Sequence, residues 1–147
     1  MDKGGVVRWP GKVPAGKVSD EPWAFWDFLP TCAELAGTKV PGKVDGLSVL
    51  PALMGGAMPK RPYFYWELYE GNFKQAARFD NWKAVRPKTG APVEIYDLEA
   101  DPGEKNDLAS SKSAILAKAE EILKAAHVDS PDWPAKSSGG KKGKKKK

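Results

Sequence analysis

The stretch from Pro62 to Leu98 most constrains the fold. Apolar and aromatic residues alternate there in short runs, separated by turn residues rather than long connections. In Tyr63-Phe64-Tyr65-Trp66-Glu67-Leu68-Tyr69 the alternation sets Phe64, Trp66 and Leu68 on one face of a strand. Tyr63, Tyr65 and Tyr69 fall on the other, because successive strand side chains point to opposite faces. Gly71-Asn72 turns the chain, and Phe73 to Phe79 with Trp82 to Arg86 predict a hairpin across Asp80-Asn81. Val93 to Leu98, after the turn-rich Pro87 to Pro92, predicts a last strand. Connections this short join antiparallel neighbours, since a parallel crossover needs about a dozen residues or more. An amphipathic helix follows. Ile115, Leu116, Ala119, Ile122, Leu123 and Ala126 form its apolar stripe, while Lys118, Glu120, Glu121 and Lys124 face water. One of Ser110, Ser111 or Ser113 is expected to supply its N-cap. The class expected is α+β: a small antiparallel sheet of about four strands packed with a C-terminal amphipathic helix, preceded by a helix and long loops.

Upstream, the run Gly5-Val6-Val7-Arg8-Trp9, stopped by Pro10-Gly11, predicts one strand and a turn. A helix fits Trp23 to Ala36, with Phe25, Phe28, Leu29, Cys32, Leu35 and Ala36 on one stripe. Pro30 conflicts with a helix interior. Placing Asp27 as N-cap moves Pro30 into the first turn, where it costs little, and Gly37 then ends the helix. Residues 38–46 read as loop, and Ser48 as the cap of a short helical turn through Met54, closed by Gly55-Gly56. The organisation expected is a strand and loop over residues 1–22, a helix with linking loops over 23–60, a sheet-and-helix subdomain over 61–134, and a lysine-rich tail over 135–147.

The tail explains the charge. The 147 residues carry 24 Lys+Arg against 19 Asp+Glu, a formal net charge of +5. Gly139 to Lys147 hold six lysines and no acid, so the remainder is near neutral. The body is not a basic, nucleic-acid-binding domain by charge. A segment such as the tail cannot bury enough apolar surface to order itself. No apolar run approaches the roughly 20 residues that a membrane span requires, and Met1 to Gly5 has no signal-peptide character. One cysteine, Cys32, and one histidine, His127, exclude an internal disulfide, a cysteine-based zinc site and a multi-histidine metal centre.

Few residues remain that carry chemistry. Cys32 falls on an apolar helix face and reads as a small core residue. His127 ends a helix, where a cation complements the dipole. Glu67 and Glu70 do not share a strand face, and Glu120-Glu121 belongs to a solvated helix face, so no carboxylate pair converges for acid/base work. Asp97, Glu99, Asp101 and Glu104 resemble a calcium loop in composition only, without its central Gly and final bidentate Glu, and read as a turn. The aromatic strand with Lys74, Arg78, Lys83 and Arg86 suits a stacking platform in type, but half-buried strands are aromatic for packing reasons too. No phosphate loop, Gly-x-Ser-x-Gly elbow or His-Glu-x-x-His occurs.

Several stretches, in order, resemble type I sulfatases, especially bacterial arylsulfatase A-like and N-acetylgalactosamine-6-sulfatase-like members. They are Arg8-Trp9-Pro10-Gly11-Lys12 with Pro14-Ala15-Gly16; Asp27-Phe28-Leu29-Pro30-Thr31 with Leu35-Ala36-Gly37; Asp45-Gly46-x-Ser48; Trp82-Lys83; and Tyr96-Asp97-Leu98-x-x-Asp101-Pro102-x-Glu104-x-x-Asp107-Leu108. The resemblance covers roughly residues 4 to 134. It implies the C-terminal part of an alkaline-phosphatase-like fold. A complete family enzyme hydrolyses sulfate esters with a formylglycine, made within Cys/Ser-x-Pro-x-Arg, and a calcium ion. Here Cys32 is followed by Ala33-Glu34-Leu35, and the family's metal ligands and catalytic histidines have no counterpart. Lys3 lacks the surroundings of the family's active-site lysine. No catalytic, cofactor-binding or metal residue is therefore assigned.

The expectation is a C-terminal sulfatase fragment, inactive alone, from a truncated or mispredicted gene. No partner is required. Localisation stays unassigned, although such enzymes are commonly exported. The alternative is a stand-alone module holding sulfated glycan or nucleic acid through the aromatic sheet and the lysine tail, in contacts weakened by salt.

Overall fold

The computed structural model describes residues 5–132. The chain divides into two compact units, with the boundary between Arg61 and Pro62. The lysine tail expected over residues 135–147, and any polyanion contact through it, lie outside the described residues.

In the second unit the alternating segments form β1 (Phe64–Leu68), β2 (Lys74–Phe79), β3 (Trp82–Arg86) and β4 (Glu94–Asp97). They make one antiparallel sheet in the order β1-β2-β3-β4. The β2–β3 turn falls at Asp80-Asn81, with Phe79 opposite Trp82. Asp80 takes φ 50°, the left-handed conformation that two-residue hairpin turns demand and that Asp tolerates. Ala77, Ala84 and Ile95 lie side by side across β2, β3 and β4 and are fully buried. Over them packs α3 (Ser113–Ala126), which contributes Ala119, Ile122 and Leu123. Two alanines at the centre of the sheet leave room for the larger helix side chains, and Phe79 and Val93 complete the cluster. Tyr63 and Tyr65 pack against this core, so the tyrosine face of β1 is its inner face.

The helix start corrects one expectation. The residue at the cap of α3 is Lys112, and no side chain caps the helix. Ser111 Oγ instead donates to Leu108 O at 3.1 Å, tying off the preceding turn.

The first unit holds a short 3-10 turn (Phe25–Asp27), α1 (Phe28–Leu35) and α2 (Leu50–Leu53). The strand expected at Gly5 to Trp9 does not form: no partner strand lies beside it among the described residues, and Val6 is almost wholly exposed. Trp9 O instead accepts from Lys12 N and Val13 N, closing the Pro10-Gly11 turn. Pro30 does sit in the first turn of α1. Asp27 precedes that helix but does not cap it, because the 3-10 turn already runs into α1 and leaves Asp27 itself in helical conformation. The buried face of this helical stretch also differs from the apolar stripe. Ala24, Asp27, Thr31 and Ala33 are buried, whereas Phe25, Phe28, Leu29 and Leu35 are exposed and Cys32 is half-buried. The cap position of α2 is held by Val49 and not by Ser48, and no side chain caps it. Ser48 Oγ accepts from Leu50 N at 3.2 Å from one residue upstream, and α2 ends before Gly55-Gly56 as its sequence predicts.

Candidate functional site

Three polar clusters organise the described residues. The first surrounds Asp27, whose side chain is completely buried. One carboxylate oxygen accepts from Ala24 N at 2.8 Å. The other accepts from Leu47 N at 2.8 Å and pairs with the Arg61 guanidinium. One turn on, Thr31 Oγ1 donates to Asp27 O at 2.6 Å and accepts from Val49 N at 2.9 Å. The Asp-x-x-Pro-Thr and Asp-Gly-x-Ser stretches are thus the two halves of one clamp. Gly46 is its contact point: a Cβ there would stand 2.1 Å from Trp26 O and 2.9 Å from Pro30 Cγ. Both oxygens of the Asp27 carboxylate thus meet a backbone N–H, and one also meets Arg61, so the arrangement fixes a loop.

The second cluster is the loop between β4 and α3. Asp97 Oδ1 accepts from Glu99 N and Ala100 N. Asp101 Oδ2 accepts from Lys105 N at 2.7 Å and Asn106 N at 2.8 Å. Asp107 Oδ1 accepts from Ile95 N and Ala109 N, both at 2.9 Å. The backbone bond from Asn106, opposed by partial desolvation and reinforced by Lys105, holds the Asp101 carboxyl below its usual range. Glu104 sits at φ 53° and pairs with Lys83 at 2.5 Å. The acids that resemble a calcium loop are therefore occupied by the turns they build.

The third cluster joins β1 to the end of α3. Glu67 accepts hydrogen bonds from the Tyr65 and Tyr69 hydroxyls, the latter at 2.7 Å, and meets His127 Nδ1 at 2.6 Å. The other ring nitrogen of His127 is 3.1 Å from Asp129 Oδ1. Gln75, buried in β2, donates to the Tyr65 hydroxyl and to Leu123 O. Arg86 donates to Gln75 Oε1 and pairs with Glu120 of α3. Burial pushes the Glu67 carboxyl up, but the bonds from Tyr65, His127 and Tyr69 outweigh it and hold it below the usual value. The bond to Glu67, against some burial and with help from Asp129, raises His127. Burial and the bond to Glu67 push Tyr65 up, and Tyr69 is pushed up to about 12 mainly by its bond to Glu67.

Sequence reading places His127 correctly at the helix end but misses Glu67 as its partner. Among the described residues no group of three or more His, Cys, Asp or Glu is placed to hold a metal ion. The calcium and formylglycine implied by a sulfatase resemblance do not fit these residues: the carboxylates of the three clusters are engaged by protein donors, and Cys32 lacks the Cys-x-Pro-x-Arg surroundings.

A sequence model of one family, "N-sulphoglucosamine sulphohydrolase, C-terminal", matches residues 4–130. The chain belongs to this sulfatase family. It is 37% identical over 86 residues to N-acetylgalactosamine-6-sulfatase from Canis lupus familiaris, covering 57% of this chain and 16% of that protein. Among solved structures, Ps i-CgsB in complex with k-i-k-neocarrahexaose superposes with a TM-score of 0.70 at 31% identity, covering 88% of this chain and 30% of the other. BT4656 in complex with its substrate, D-glucosamine-2-N,6-O-disulfate, superposes with a TM-score of 0.60 at 26% identity, covering 68% and 23%. The chain therefore spans a small part of the length of these relatives. Its four-stranded sheet and helices are the C-terminal part of the alkaline-phosphatase-like sulfatase fold. All three clusters fall inside the matched region. Within it they do structural work: one clamps a loop, one builds a turn and one joins a helix end to a strand.

Proposed function

We propose that this chain supplies the C-terminal region of a sulfuric ester hydrolase and by itself turns over no sulfate ester. The observation that carries this reading is the occupation of its acidic side chains. Asp27, Asp97, Asp101 and Asp107, four of the five aspartates in the stretches that resemble sulfatases, accept backbone N–H groups. They hold loops rather than a sulfate or a cation. In this reading residues 1–22 and 23–60 accompany the catalytic part of such an enzyme, and residues 61–134 form its C-terminal subdomain. Phe25, 88% exposed, with Phe28 and Leu29 beside it, supports the division, because an apolar patch of this kind marks a surface that more protein covers. The substrate of the whole enzyme is a sulfate ester, by the chemistry its relatives' names share. Calcium and formylglycine belong to that whole enzyme; no group of ligands for the cation is placed among the described residues, and the sequence lacks the precursor motif.

The test is direct. The purified chain is incubated with an aryl sulfate and calcium, alongside a full-length sulfatase as positive control. No release of the phenol above the protein-free blank is expected. Turnover that rises in proportion to the concentration of this chain overturns the reading.

A further inference from the structure

We propose that His127 and Glu67 form a protonation-gated clasp, which holds the C-terminal end of α3 to β1 while the imidazole is charged and loosens it when the proton leaves. The geometry carries this. Both ring nitrogens face carboxylates: Nδ1 lies 2.6 Å from Glu67 Oε1 and Nε2 lies 3.1 Å from Asp129 Oδ1. An ionised carboxylate only accepts, so serving two of them takes two N–H donors, and imidazole has two only in its charged form. A neutral ring keeps one donor and turns a lone pair toward the other carboxylate. The tilted packing of the ring on Phe73, at 5.3 Å between centroids, fixes its position and lets little of the mismatch relax.

The other groups around the ring do not supply a substitute proton. From β1, Tyr65 and Tyr69 both donate to Glu67 and keep it an acceptor. From β2 the facing side chain is the neutral Gln75, which is held by Tyr65 and Leu123. From β3, Arg86 is engaged by Gln75 and by Glu120 of α3. Asp129 is 95% exposed and adds little by itself, so Glu67 is the decisive partner. The signs agree with this arrangement. His127 is raised by Glu67, so its contribution is complete below the ordinary histidine value of about 6.5 and is lost as pH rises through its folded value. Glu67 is lowered, so its contribution is present above the ordinary carboxyl value and is lost only as pH falls below it. The clasp is tightest on the mildly acidic side of neutrality and loosens on the alkaline side, where a neutral ring keeps at most the single hydrogen bond to Glu67 and no ion pair.

His127 is the sole histidine of the 147-residue chain, so its imidazole resonance needs no assignment. In the full chain, that resonance is expected to titrate above about 6.5, and Glu67→Gln is expected to bring the midpoint back to the ordinary value. Amide protection of Lys124 to Val128, corrected for the intrinsic pH dependence of exchange, should fall across the same midpoint and become pH-independent in His127→Gln. An ordinary midpoint in the wild-type chain overturns the proposal. So does protection that ignores the titration, or a pH-dependent loss that persists in His127→Gln.

Discussion

Between Pro62 and Asp132 the interior is apolar apart from Gln75. Phe79, Ile95 and Leu123 are its largest fully buried side chains, with alanines between them and a hydrogen-bonded ladder beneath. Between Gly5 and Arg61 the corresponding side chain is a carboxylate. Asp27 is fully buried while Phe25, Phe28, Leu29 and Leu35 stay exposed, and Ala24 and Ala33 are the buried apolar residues. The difference is one of where stability resides. Apolar burial is nondirectional and spreads over many contacts, so the sheet unit owes its fold to a pattern. A buried carboxylate is tolerable only while each of its acceptors is used, so the first unit depends on a few bonds.

The contrast is broken most severely by Leu123→Ala. Leu123 is fully buried at the centre of the helix–sheet contact, and removing its branched side chain there costs about 4 kcal/mol. The urea midpoint is expected to drop sharply, with protection of the Ala77 and Ala84 amides lost. Asp27→Ala comes next, at about 3 kcal/mol, because it removes a buried carboxylate that accepts from the Ala24 and Leu47 amides and pairs with Arg61. Exchange at Leu47 and Val49 reports it. A loss under about 1 kcal/mol would mean that the clamp is a solvated ion pair after all, and that the two units do not differ as described.

The same contrast decides what is legible in the sequence. Strand periodicity and turn chemistry are local, so β2, β3 and their Asp80-Asn81 turn follow from the residues to within one position, and so does the apolar stripe of α3, though not its cap. The buried face of α1 does not. It is selected by bonds from Asp27 to Leu47 and Arg61, 20 and 34 residues away, which outweigh the apolar stripe of Phe25, Phe28 and Leu29. Likewise Glu67 and His127 are 60 residues apart, and nothing local to either one announces the other. The Asp-Gly-x-Ser and Asp-x-x-Pro-Thr stretches are visible as family marks, but that they interlock is visible only in three dimensions.

Gly46→Ala sharpens the comparison at a finer scale. Gly46 has no need of left-handed backbone; it is required because a methyl group would meet Trp26 O at 2.1 Å. Backbone cannot swing aside as a side chain does, so the clamp must open, at a cost of about 2 kcal/mol. Gly37 provides the control. It has φ 66° with open space around it, so alanine there meets conformational strain alone and is expected to cost about 1 kcal/mol. Urea midpoints of the two variants rank them, and equal losses would show that close approach at Gly46 is not the constraint.

The smallest effect concerns a carboxylate of the sheet unit, and tests whether polar anchoring there is also secondary. Asp101 shapes the β4–α3 loop by accepting from Lys105 N and Asn106 N. Those bonds, Asn106 first, hold its carboxyl below the ordinary value. A lowered carboxyl stabilises the fold above its unfolded pKa and loses that contribution as pH falls through the folded one, so the loss belongs to acid pH and not to neutrality. Asp101→Asn keeps one acceptor oxygen but cannot titrate. Against wild type, the variant is expected to be slightly less stable at neutral pH, by less than Gly46→Ala, and the gap should close as pH falls through and below the ordinary carboxyl range. Urea midpoints across that range measure it. A gap that stays constant would mean that the bonds to Asp101 do not depend on its charge. A gap as large as that of Asp27→Ala would mean that this loop, and not the apolar core, anchors the sheet unit.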